Sequence, residues 1–160
     1  MSDFRALDVD QYDEEALRAT DLVVDDQRSA QELLSIAQGK QNGVRSRLAS
    51  NDIGGALGEV LRDAPSGTHA DEAKRVTFAL LLEILNATRS SDIPAAVKGL
   101  DLQEKDTLMK YLYKGLALGG TRAGAAEGIN CAVLLGWHEK LTQVAGTGCI
   151  MRVMTDRRSL

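Results

Sequence analysis

The chain has 160 residues, which suits one domain burying roughly 70% of the surface its unfolded form exposes, so no disulfide framework or structural metal is required. Only two prolines occur, and Ala and Leu outnumber the β-branched residues, so the composition leans to helix. The net charge of −4 is uneven: residues 1–26 carry −7 and residues 27–160 carry +3, and an acidic end of that kind repels phosphate, which argues against nucleic acid as its target.

The opening "MSDFRALDVD" has neither a basic n-region nor an apolar h-region, so no secretory signal is expected. Cys131 and Cys149 make no framework pattern, and a cytosolic or nuclear setting with free thiols follows. The most apolar run, Phe78 to Leu85, is broken by Glu83 and falls far short of the roughly 20 residues a membrane span needs.

Residues 1–26 show no helical period that could bury a face. Phe4, Leu7, Val9, Tyr12 and Leu17 are scattered among acids, the composition of a solvated tail or of a linear motif that orders in a partner's groove. From about Gln27 helical spacing begins, with Leu33, Leu34, Ile36 and Ala37, then Val44 and Leu48. "QGKQNG" between the two groups is expected to weaken or interrupt that helix. Next, Asn51 or Asp52 caps a stripe of Ile53, Leu57, Val60 and Leu61, stopped at Pro65. Thr68 is the expected cap of a helix with Asp71 and Glu72 in its first turn, apolar nearly all round from Val76 to Leu85 and so the most buried element.

Ser91 or Asp92 opens a short helix with Pro94 in its first turn, where the missing N–H is harmless. Asp101 caps the next, whose stripe is Leu108, Met109, Leu112 and Leu116 and whose stop is Gly119-Gly120. A last long helix is expected over Thr121 to Gly146, and "GTGCIMRVMTDRRSL" closes the chain with a short apolar piece and a basic end. The pairs Asp52-Ile53 and Asp92-Ile93, 40 residues apart, each begin a short helix followed by a long apolar one, a spacing shared with stacked helical pairs.

Chemistry is hard to find. "WHEKLT" puts Thr142 where a zinc-protease helix needs its second histidine. His69, Cys131, His138 and Cys149 contain no paired ligand spacing. Cys131 and His138, seven residues apart on one helix, would sit about 10 Å apart, too far for a thiolate–imidazole pair. The glycine clusters follow helices and precede no lysine, so they read as helix ends rather than phosphate loops. Trp137 shares a register with Ile129, Val133, Leu141 and Val144 and reads as a packing residue, with Glu139 and Lys140 off that stripe.

Four blocks in order, "LDVDQYDEE" (7–15), "LMKYLYKGL" (108–116), "LLGWHEK" (134–140) and "GTGCIMRVMTDRR" (146–158), closely resemble the family of subunit 5 of the actin-related protein 2/3 complex. Residues 27–50 and the Gly/Ala-rich stretch before Asn130 depart from the animal pattern. The resemblance implies an all-α fold: a short α-α superhelix of about six or seven helices, residues 27–160, with an extended acidic arm, residues 1–26. It implies no catalysis and no cofactor. The implied partners are the actin-related subunit Arp2, reached by the arm, and subunit 4 and the β-propeller subunit 1, met by the helical body; actin filaments are engaged only through the complex, and no nucleic acid or membrane. The implied setting is the cytoplasmic actin cytoskeleton. Leu7, Val9 and Tyr12 in the arm, and Trp137, Ile150, Arg152 and Arg157 towards the C-terminal end, are the candidate partner-binding residues. A free-standing helical adaptor that binds peptides is the alternative.

Overall fold

The computed structural model describes residues 24, 26–121 and 128–160. Among them are seven α-helices and no strand: α1 Ala30–Ala49, α2 Ile53–Leu61, α3 Asp71–Ala87, α4 Ile93–Lys98, α5 Leu102–Gly119, α6 Cys131–Ala145 and α7 Thr147–Thr155. The expected arm lies outside the described residues, apart from Val24 and Asp26.

Short polar side chains start most of these helices. Ser29, Asp52 and Asn130 each accept a backbone N–H of the first turn of α1, α2 and α6. Asp101 and Glu104 form a reciprocal capping box on α5, satisfying two N–H groups that would otherwise lack partners. Gly146, at φ 74°, makes the sharp connection from α6 to α7, a conformation that costs glycine little.

Four boundaries differ from expectation. The last long helix, expected from Thr121, is Cys131–Ala145, started by the Asn130 cap. α1 runs unbroken through Gly39 and Gly43, because Leu33, Ala37 and Val44 are buried along it and that burial outweighs about 1 kcal/mol of lost propensity per glycine. At Gly43 the Glu59 carboxylate of α2 lies over the backbone, 2.0 Å from where a Cβ would be. α2 ends at Leu61, four residues before Pro65, where Arg62 turns extended, Asp63 takes φ 53° and the Lys40 ammonium donates to the Arg62 carbonyl. α3 starts from Ala70 with no side-chain cap, not from Thr68, although Asp71 and Glu72 occupy its first turn as expected.

The helices build a short α-α superhelix. α1 packs on α2 and α3, α2 touches α4 and α5, and α6 lies against α3, α4 and α5. The 40-residue echo holds in the order of elements: α2 then α3, and α4 then α5, are two short–long sequences whose short helices meet, although α2 packs on α3 while α4 packs mainly on α6. One core runs through them, including Leu57, Leu81, Ile84, Leu108, Leu112, Leu134, Trp137 and Leu141. α3 is its centre as its composition foretold, with nine of 17 residues buried. α5 and α6 approach closely because Gly115 faces Leu134 and Phe78 without a side chain of its own.

Candidate interaction surfaces

The outer face of α7 is one candidate surface. Cys149 is buried, and Ile150 and Val153 are half-buried against the core. The helix is pinned to α5 by three contacts. The Cys149 thiol points to the Lys105 carbonyl oxygen at 3.7 Å, Arg152 grips Asp106 through Nε (2.6 Å) and Nη2 (2.8 Å), and Lys110 donates to Asp156 at 2.7 Å. Residues three apart share a helix face, so Met151 and Met154 point together away from that anchorage, 61% and 75% exposed. Two adjacent methionines give a deformable apolar surface of the kind that adapts to a partner.

A second exposed feature joins α5 and α6. The Tyr113 hydroxyl lies 3.2 Å from His138 Nε2, the rings meet edge to face with centroids 5.4 Å apart, and Leu135, one turn before His138, is 55% exposed. A third is an open groove of about 530 Å³, bordered by the approach to α1, the start of α5 and the C-terminal segment. Most of its charges are paired within the chain: Arg28 with Asp26, Arg62 with Glu104, Arg152 with Asp106, and Lys110 with Asp156. With both signs interspersed along the lining, no single-sign patch is offered to a charged ligand.

Nothing in these surfaces assembles a reaction centre. No group of three or more metal-ligating side chains converges among the described residues. Burial pushes the Cys149 thiol up to about 12, with the Asp106 carboxylate adding to the shift, so it stays protonated and unreactive. His69 and His138 are engaged separately, with the Arg28 carbonyl and with Tyr113. No helix among the described residues is long and apolar enough to cross a membrane.

The candidate partner-binding residues fall into different settings. Leu7, Val9 and Tyr12 lie outside the described residues. Trp137 is fully buried and donates its indole N–H to the Leu85 carbonyl oxygen at 3.2 Å, so its side chain has no surface to offer and serves the core. Ile150 is half-buried, Arg152 is exposed but committed to Asp106, and Arg157 is exposed. Met151, Met154, Leu135 and Tyr113 are exposed large apolar side chains outside the candidate set. The methionines were legible, because in "IMRVM" the pairs Ile150/Val153 and Met151/Met154 fall on different helix faces. Tyr113 and His138, 25 residues apart, carried no local signal.

Residues 3–160 match the sequence profile of the family described as ARP2/3 complex 16 kDa subunit (p16-Arc). The chain belongs to that family. Among curated relatives, it is 36% identical to actin-related protein 2/3 complex subunit 5-C of Xenopus laevis over 158 residues, covering 98% of this chain and 94% of the relative. It is 36% identical to actin-related protein 2/3 complex subunit 5 of Saccharomyces cerevisiae over 161 residues, covering 99% of each. The human actin-related protein 2/3 complex subunit 5-like protein is 33% identical over 159 residues, covering 99% of this chain and 95% of the relative. The family is a structural one rather than an enzyme family.

Proposed function

We propose that this chain is a non-catalytic structural subunit of the actin-related protein 2/3 complex, the assembly that nucleates branched actin filaments, and that it works at the cytoplasmic actin cytoskeleton. The observation that carries the reading is a family match running from residue 3 to residue 160, with relatives covered over nearly their whole length. A helical body whose Cys149 is buried and protonated and whose histidines serve contacts within the fold supports the same reading.

The finer reading divides the chain at residue 26. The acidic segment 1–26 is the arm that tethers the actin-related subunit Arp2, with Leu7, Val9 and Tyr12 as apolar anchors and charge steering the encounter. The helical body, 27–160, docks on subunit 4 and the β-propeller subunit, with Ile150, Arg152 and Arg157 at the docking end. Met151 and Met154 add apolar area there that the body does not need for its own folding.

Purification of the tagged chain from its own cells, followed by mass spectrometry, tests the main reading. Two actin-related proteins and a β-propeller subunit should co-purify in one large assembly. A lone monomer would overturn it in favour of a free-standing adaptor. For the arm, a Val9→Ala/Tyr12→Ala variant should assemble with the other subunits but hold the actin-related subunit loosely and nucleate weakly; normal nucleation would remove the tether assignment.

A further inference from the structure

The segment leading into α1 is braced within itself by Asp26 and Arg28 and is bonded to the body through His69. The Asp26 carboxylate accepts the Arg28 backbone N–H at 3.1 Å and the Arg28 guanidinium through Nε at 2.9 Å and Nη2 at 2.6 Å. His69, in the loop between α2 and α3, lies with Nε2 2.9 Å from the Arg28 carbonyl oxygen. A carbonyl only accepts, so Nε2 carries the proton and donates. In the same loop, the buried Gly67 donates its N–H to the Ser159 carbonyl oxygen at 3.2 Å. Loop 62–70 therefore grips both the approach to α1 and the C-terminal segment, and Asp26, Arg28, Arg158 and Leu160 line one groove.

None of this is needed to start α1. Ser29 caps the helix alone, accepting the Glu32 N–H at 3.3 Å. Asp26 follows Asp25 at the end of a strongly acidic run, where a carboxylate would ordinarily stay in water, yet its side chain is only 10% exposed. The bond from His69 spans 41 residues, so it fixes the approach segment to the body rather than to its own helix.

We propose that Asp26, Arg28 and His69 form a latch that fixes the point from which the acidic residues before them leave the body. Its role in the complex rests on the tether reading above, whereas the latch itself does not. The exit point lies beside the C-terminal segment 156–160, because one loop holds both.

Limited trypsin digestion of the full chain tests this, using cleavage after Arg28 relative to cleavage after Arg18. Protease reaches a bond in proportion to its local opening, and one exposed hydrogen bond is worth about threefold to fivefold in that equilibrium. His69→Ala should speed cleavage after Arg28 by that factor. Adding Asp26→Ala should raise it beyond about tenfold. His69→Gln, whose amide nitrogen can stand in for Nε2, should return the rate towards that of the unaltered chain. A rise at Arg28 with cleavage at sites within the body unchanged supports the latch. An unchanged rate in the double variant, or one that rises equally at sites throughout the body, overturns it. Digestion reads the latch and the Val9→Ala/Tyr12→Ala variant reads the tether, so either can fail alone.

Discussion

The indole N–H of Trp137 on α6 donates to the carbonyl oxygen of Leu85, 52 residues earlier and near the end of α3. The last four carbonyls of a helix have no partner within it, and Leu85 is among them in α3, which ends at Ala87. Thr88 closes the neighbouring Ile84 carbonyl at 2.7 Å, so one side chain from the same strand of sequence and one from another helix complete the C-terminal end of the most buried helix. Trp137→Phe keeps most of the apolar volume but leaves the Leu85 carbonyl unpaired, and should cost about 1–3 kcal/mol. Trp137→Ala adds a cavity and should cost about 3–5 kcal/mol. Leu135→Ala, on the exposed side of the same helix, should stay within about 0.5 kcal/mol. Urea unfolding of the three variants checks the order.

Two glycines should respond to alanine with opposite signs. A Cβ on Gly115 would lie 2.8 Å from Leu134 Cδ1 and 3.3 Å from Phe78 Cζ, in a packed core, and the overpacking should exceed the helix-propensity gain. Gly115→Ala should destabilise by about 1–2 kcal/mol. A Cβ on Gly136 would meet nothing within 4 Å, so Gly136→Ala keeps only the propensity gain and should stabilise by up to about 1 kcal/mol. Melting midpoints moving in the same direction would show that α5 and α6 are not in the close contact described.

Elements whose signals were local could be read from the sequence. Asp52 and Asp101 cap α2 and α5, Gly120 ends α5, and α3 is the buried centre. Misreadings arose where distant residues decide. Gly39 and Gly43 looked like a break, but packing on α2 and α3 carries α1 through them. Thr68 looked like a cap, but α3 begins after a loop held by His69 and Gly67 to both ends of the described chain. Trp137 was legible as a packing residue, although no helical period shows that Leu85 of α3 is the neighbour that covers it. The pair Tyr113 and His138, and the bond from His69 to the Arg28 carbonyl, are long-range juxtapositions with no sequence signature.

Tyr111 is fully buried, stacks on Phe78 with centroids 6.2 Å apart, and its hydroxyl has no hydrogen-bond partner among the described residues. Burial raises its pKa well above the usual tyrosine value, so it stays a neutral phenol. A buried hydroxyl without a partner has lost its water and gained nothing in exchange. Tyr111→Phe should therefore be neutral or stabilise the fold by up to about 1–2 kcal/mol. Destabilisation by more than about 1 kcal/mol in urea would mean that the hydroxyl does find a partner, a buried water being the simplest.

Acid should unfold the protein along a limb set by paired carboxylates. Hydrogen bonds from the Arg28 side chain hold Asp26 at about 2, against an ordinary value of 3.8. Burial pushes Asp106 and Asp156 up, but bonds from Arg152 and Cys149 to the first, and from Lys110 and the Arg158 backbone to the second, leave both lowered. A carboxyl whose folded pKa lies below its unfolded one stabilises the fold above the unfolded value, because the unfolded chain binds more protons in between. Its contribution is lost as pH falls through the folded value. The melting midpoint should hold steady above a pH of about 5 and drop between about 4 and about 2. Asp106→Asn removes the charge that Arg152 grips between α5 and α7, so it should lower the midpoint near neutral pH and make the acid limb shallower. A limb as steep as that of the unaltered chain would show that the Asp106–Arg152 pair adds nothing to the anchorage of α7.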